Sequence, residues 1–136
     1  ALGLKPLAAG PSDDALLLQH ASNLKPEFDH VNPYRFSQAA SPHIINNIVN
    51  NTVITAEDIK KNCLNNINIY NPDYCFIEGA GGWLCPLNEQ ETFEDIAIKL
   101  NIYRIARNEI CKTDSHAANC LVLRPGCLYS MQSRTS

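Results

Sequence analysis

Apolar residues come in short blocks along this chain, and the spacing of the blocks predicts its elements. Ala1 to Gly10 reads as the tail of a strand that runs into a turn at Lys5-Pro6. Ala15, Leu16, Leu17 and Leu18 supply the apolar content of a helix over about Asp14 to Ala21, with Ser12 or Asp13 as its cap. Asn23 to Ser41 is expected to be loop-rich, because Pro26 and Asn32-Pro33 interrupt it. Ser41-Pro42 puts proline in the first turn of a short helix reaching about Val49. Thr55-Ala56-Glu57-Asp58 has the form of a capping box, with Asp in the place of Glu or Gln. It predicts a helix to about Asn68, with Ile59, Cys63 and Leu64 on one face and Ile67 close by. After a turn at Asn71-Pro72-Asp73, Tyr74 to Ile77 is continuously apolar, as for a parallel strand buried on both faces. Thr92-Phe93-Glu94-Asp95 starts a further helix to about Leu100. The order helix, strand, loop, helix favours an α/β fold.

After Asn101 the pattern changes. Residues 102–136 carry scattered Arg, Cys and Ser with little periodicity, and Met131 to Ser136 is polar enough to fray. Ile102 to Arg107 makes a poor strand, because two arginines interrupt it; Cys120-Leu121-Val122-Leu123 is the later strand-like run. Two regions are therefore expected: an α/β domain over residues 1–101, and a divergent or poorly folded segment over 102–136.

Composition narrows the function classes. The 136 residues suit one domain and can bury a core. A net charge of −3 offers no basic excess to neutralise a nucleic-acid backbone. No apolar stretch approaches the roughly 18 residues of a membrane span. No signal peptide is legible before Gly10, so a cytoplasmic location and reduced thiols are expected for the six cysteines. Cys63, Cys75 and Cys85 read as small core residues. The first residue is not Met, which suggests a fragment.

The candidate chemistry centres on Phe76-Ile77-Glu78-Gly79-Ala80-Gly81-Gly82-Trp83. An apolar run ends in a carboxylate, and a glycine-rich turn follows. Ligands of open α/β sheets bind outside the carboxyl ends of the strands. A carboxylate there can hold Mg²⁺, and glycines let backbone N–H groups approach a ligand.

Four segments carry a resemblance. They are Gly3-Leu4-Lys5-Pro6-Leu7-Ala8-Ala9-Gly10, then Asp13 to Gln19, then Val31-Asn32-Pro33-Tyr34-Arg35-Phe36 with Ser41-Pro42-His43-Ile44, and finally Ile77 to Leu87. Together, over about residues 1–101, they resemble the dethiobiotin synthetase family. The resemblance implies a partial P-loop-type parallel sheet flanked by helices, incomplete at both ends, and a homodimer in the complete family protein. It implies ATP-dependent joining of CO₂ (as CO₂/bicarbonate) to 7,8-diaminopelargonate, followed by ring closure to dethiobiotin in biotin biosynthesis. Lys5 matches the family's catalytic lysine. Asp14 and Glu78 match ligands of Mg²⁺ and the nucleotide, with Asp13 as the rival of Asp14. Gly79, Ala80 and Gly81 match backbone lining the ATP site. Ala9, Ser41, Pro42 and His43 match substrate-binding positions, and Ala9 stands where the family usually has Ser or Thr. Trp83 reads as packing beneath the loop.

The family's Gly-x-x-x-x-Gly-Lys-Thr loop, whose amides cradle phosphates, does not occur in these 136 residues. Residues 102–136 do not resemble the family's continuation, and a shifted frame near Asn101, a fusion or divergence would each account for that. The expectation is little or no synthetase turnover by this chain. Three other readings stay open: a related cobyrinate-type amide synthetase, a non-catalytic interaction protein, and a metal module at Cys111, His116, Cys120 and Cys127, whose spacing differs from the short knuckles of common zinc sites.

Overall fold

The computed structural model describes residues 1–11, 13–37, 53–81 and 84–100, together with the backbone of 120–123. Its elements in chain order are β1 (Leu2–Leu4), β2 (Leu7–Ala9), α1 (Asp13–Ala21), α2 (Phe28–Val31), β3 (Tyr34–Phe36), α3 (Ala56–Tyr70), β4 (Cys75–Glu78), α4 (Phe93–Lys99) and β5 (Cys120–Leu123). The architecture is α/β, with parallel strand pairs flanked by helices.

β1 and β4 pair in parallel, with Leu2 opposite Cys75 and Leu4 opposite Ile77. β5 adds antiparallel to the other edge of β4, giving the order β1-β4-β5. β2 and β3 form a separate parallel pair, Leu7 opposite Tyr34 and Ala9 opposite Phe36. Parallel neighbours need a long crossover rather than a hairpin. α1 and α2 supply it between β2 and β3; α3 immediately precedes β4.

β1 lies between helices. Leu2 and Leu4 point to one face, into a core shared with Ile59, Cys63 and Ile67 of α3 and Ile96 and Ala97 of α4. Gly3 points to the other face, where α1 crosses so closely that a Cβ would lie 3.1 Å from Leu18. The Ser22 hydroxyl beyond α1 accepts from the Gly3 amide at 2.8 Å.

The capping signals are satisfied as written. Thr55 Oγ1 accepts from the Asp58 amide at 3.2 Å, and the Asp58 carboxylate accepts from the Thr55 amide at 2.9 Å. α3 then runs two residues past the expected end, because Asn71 takes a left-handed conformation (φ 44°) and donates to the Ile67 carbonyl. At α4 the Asp95 carboxylate accepts from the Thr92 amide at 2.7 Å.

Three expectations are corrected. The Lys5-Pro6 break does end a strand, but Leu7–Ala9 forms another. The stretch expected to be loop-rich contains α2 and β3; four helical residues are too few to show a period, and the partner of β3 lies 27 residues earlier in sequence. β4 starts at Cys75 and is not buried on both faces: Cys75 and Ile77 are buried, whereas Phe76 is 38% exposed. Cys63 and Cys75 are core residues as expected; Cys85 is only half-buried. The late apolar run forms β5. The expected helix from Ser41, the run Ile102–Arg107, the tail from Met131 and Cys111, His116 and Cys127 all lie outside the described residues.

Candidate functional site

Lys5 occupies the point where the chain leaves one sheet for the other. Leu4 makes the last β1 pair with Ile77, so the next positions, Lys5 and Glu78, stand opposite each other. Pro6 follows, has no N–H to continue a ladder, and ends β1 there. The ammonium consequently sits at the carboxyl ends of two parallel strands, the location at which open α/β sheets bind ligands.

Three acceptors converge on it. Lys5 Nζ donates to Glu78 Oε1 at 2.8 Å, and lies 3.4 Å from both Asp14 Oδ2 and the Gly79 carbonyl. The lysine side chain is 8% exposed, that of Glu78 23% and that of Asp14 62%. The site is therefore a pocket of charge with a closed floor and an open rim formed by the first turn of α1.

The position of Asp14 follows from the helix–strand match. Two strand residues advance about 6.6 Å and four helix residues about 6 Å. Leu18 lies over Gly3, so Asp14, one turn earlier, comes over Lys5. A glycine at position 3 is what allows α1 this close.

Two glycines shape the surroundings. Gly10 has φ 89° and its amide donates to the Phe36 carbonyl at 2.8 Å, which turns the chain from β2 towards α1. Gly81 has φ 84°, and a Cβ there would meet Cys85 Sγ at 3.1 Å. Any other residue would be strained in that backbone conformation and crowded by the sulfur. Burial pushes the Cys85 thiol up, so it is a weak nucleophile beneath the turn.

Lys5, Asp14, Glu78 and Gly79 thus come together as the resemblance groups them, and Ala80 and Gly81 continue the same turn. Asp13, the rival of Asp14, also lies in the first turn of α1, but the contact to Lys5 is made by Asp14. Ala9 ends β2 on the neighbouring sheet, in register with Phe36. Ser41, Pro42, His43, Gly82 and Trp83 lie outside the described residues. The residue that sequence reasoning passed over is Asn32. In sequence an asparagine before a proline signals only a turn, yet this one is fully buried and donates to the Lys5 carbonyl at 2.6 Å.

Chemically, two carboxylates and one ammonium leave one negative charge over. Among the described residues no cluster of three or more His, Cys, Asp or Glu side chains could cage a metal. Mg²⁺ does not require one, since it takes one or two carboxylates and fills its octahedron with water and phosphate oxygens. The donor set fits that ion.

A family model described as AAA domain matches residues 3–105. The chain belongs to this P-loop-type α/β family. Within it, the chain is 38% identical over 103 residues to the ATP-dependent dethiobiotin synthetase BioD of Pseudescherichia vulneris, covering 70% of this chain and 42% of the relative. It is 35% identical over 109 residues to the enzyme of the same name from Cellvibrio japonicus, covering 74% and 46%. The match to ATP-dependent dethiobiotin synthetase BioD 1 of Escherichia coli K12 is 35% over 101 residues. The chain is thus a partial match to the dethiobiotin synthetases and spans less than half the length of these curated relatives.

Proposed function

We propose that the complete protein containing these residues is an ATP-dependent dethiobiotin synthetase, and that this chain carries the part of its active site that handles the carbamate and the transferred phosphoryl group. In this reading one amine of 7,8-diaminopelargonate adds to CO₂ and gives a carbamate. ATP phosphorylates the carbamate oxygen, and the second amine attacks the carbamate carbon. Phosphate leaves, the ureido ring closes, and ADP is released.

The observation that carries this reading is the Lys5 ammonium held at the carboxyl ends of β1 and β4 by Glu78, Asp14 and the Gly79 carbonyl. An ammonium has three protons to donate. Only the 2.8 Å contact to Glu78 is close; the two at 3.4 Å are weak and exchangeable for an incoming oxyanion. Glu78 holds the amine in place while its remaining protons face the carbamate or phosphoryl oxygens, where negative charge builds up during transfer. Asp14 and Glu78 would hold Mg²⁺, which when bound supplies positive charge to the phosphate oxygens. The backbone of Gly79, Ala80 and Gly81 lines the nucleotide, and Ala9, Ser41, Pro42 and His43 are the diamine-binding positions in this reading. A cytoplasmic homodimer belongs to the same reading.

The 136-residue chain itself is expected to turn over little, because it contains no Gly-x-x-x-x-Gly-Lys-Thr loop to anchor ATP. Two assays with diaminopelargonate, bicarbonate, Mg²⁺ and ATP test this. The complete protein should release ADP only when the diamine is present, and Lys5→Met should reduce that release about a hundred- to a thousandfold, the range of losing one stabilising donor of the transition state. The 136-residue chain should release almost none. Ordinary turnover by the short chain, or diamine-independent ADP release by the complete protein, would overturn the reading.

A further inference from the structure

We infer that Asn32 is a positioning residue for Lys5, and that the Asn-Pro dipeptide exists in this chain to hold the lysine's backbone still at the break between the two sheets. The inference rests on the reading of Lys5 as the ammonium that stabilises charge on the carbamate and phosphoryl oxygens, and it gives Asn32 a part in that site.

The break creates a problem of unpaired backbone. Lys5 lies beyond the last β1 pair and before the first β2 pair, and Pro6 has no amide proton. Buried backbone groups left unpaired are costly. The segment from Val31 to Tyr34 supplies every missing partner. The Lys5 amide donates to the Val31 carbonyl at 2.8 Å, and the Tyr34 amide donates to the Pro6 carbonyl at 3.1 Å. Between them, the Lys5 carbonyl accepts from Asn32 Nδ2 at 2.6 Å, a bond made by a side chain where a strand would have used its backbone. The same amide group reaches the Tyr34 carbonyl at 3.5 Å.

Pro33 explains how Asn32 gets there. The residue before a proline is driven out of the helical region. Asn32 accordingly ends α2 with φ −135° and ψ 75°, its amide donating back to the Phe28 carbonyl at 2.8 Å. Its side chain is turned from the helix toward Lys5.

Burial argues that the contact is kept for a purpose. Asn32 is fully buried, and its Oδ1 has no hydrogen-bond partner. An apolar residue of similar size would avoid that orphaned oxygen, and would also lose the N–H that fixes the lysine. Asn66 makes a useful contrast. It too is buried with an unpartnered Oδ1, but its Nδ2 donates to the His30 carbonyl and to Asn62, and it makes no hydrogen bond to Lys5.

The test reads the Lys5 amine directly, in the 136-residue chain, without needing turnover. Brief acetylation under native conditions, followed by peptide mass spectrometry, gives the labelling rate of each lysine. Lys5 should be the slowest. Asn32→Asp keeps the shape and removes the donors; Asn32→Leu keeps the branched outline and removes every polar atom. Each should raise Lys5 labelling about three- to tenfold, the scale of one lost hydrogen bond, while Lys60 and Lys99 change little. Asn66→Leu should lower thermal stability comparably and leave Lys5 labelling unchanged. Pro33→Ala, which keeps every polar group, should give a smaller rise and serves if the Asn32 variants do not fold. Unchanged Lys5 labelling in the folded Asn32 variants, or in Pro33→Ala where those do not fold, would overturn the inference. So would an equal rise in Asn66→Leu, which would make Asn32 a fold residue only. Failure of the parent reading looks different: Lys5→Met would then retain turnover in the complete protein, whatever the labelling shows.

Discussion

Lys5 and Lys60 each stand beside a glutamate, Lys5 at 2.8 Å from Glu78 and Lys60 at 3.6 Å from Glu57. Lys60 sits on α3, is 31% exposed, and shares Glu57 with Lys99 at 4.0 Å. Water can replace any of those partners, and screened surface pairs of this kind contribute little. Lys5 is enclosed between α1 and two strand ends and is 8% exposed, so little water reaches it in place of Glu78. Removing charge from solvent is expensive, and a well-packed apolar residue at position 5 would avoid the expense. The difference teaches where to look for function. The surface cluster contributes little, whereas the enclosed one is stable only with its partners in place, and it lies where open α/β sheets bind ligands.

The comparison can be broken most sharply at Glu78. Glu78→Gln should destabilise the chain by about 2 kcal/mol, because the Lys5 ammonium loses its one close countercharge. Lys5→Met should cost less, within about 1 kcal/mol, because it removes the enclosed charge altogether and leaves a partly exposed carboxylate to solvent. Urea denaturation of both variants decides the matter. If Lys5→Met proved the more damaging, the ion pair would be a structural element and the case for its chemistry would weaken.

A change of middle size tests local capping against the enclosed cluster. Thr55→Ala should cost about 1 kcal/mol of stability through loss of the side-chain cap of α3. The amide and hydroxyl of Thr55 hold the Asp58 carboxyl below its usual value. A lowered folded value means that this contribution is fully present above the ordinary carboxylate range and is lost as pH falls through the folded value. Thermal unfolding followed from pH 6 downward should show part of the acid destabilisation of the parent chain missing from Thr55→Ala. The smallest effect belongs to the surface cluster. Glu57→Gln should stay within about 0.5 kcal/mol of the parent, and a larger loss in the same urea titration would erase the contrast drawn above.

The same distinction between local and distant partners separates what could be read along the chain from what could not. The start of α3 was legible because Thr55 and Asp58 are three residues apart and satisfy each other. The same holds for Thr92 and Asp95 at α4. β3 was not legible, since Tyr34–Phe36 is an extended piece whose pairing partner lies across two helices. The exposure of Phe76 was not legible either, because a continuous apolar run does not say whether both faces of the sheet are covered. At the site, Lys5, Asp14, Glu78 and Gly79 were grouped through resemblance. Spacing alone could not have joined Lys5 to Glu78, 73 residues apart. Asn32 escaped for a further reason. Its signal, an asparagine before a proline, is common in turns, and only the gap in the Lys5 backbone pairing gives it meaning.

The closeness of α1 to β1 has a consequence for what this segment can tolerate. Gly3 under Leu18 and Lys5 under Asp14 form two rungs, and the rungs meet because two steps of a strand nearly equal four steps of a helix. One residue added to α1 between Asp14 and Leu18 would swing the carboxylate by about 100° around the helix, away from the amine, however conservative the inserted side chain. The exposed residues Leu16 and Leu17 between the rungs can vary freely in chemistry. Their number cannot vary. This stretch is constrained as a measured length, and its variation in related chains should appear as substitution and never as insertion.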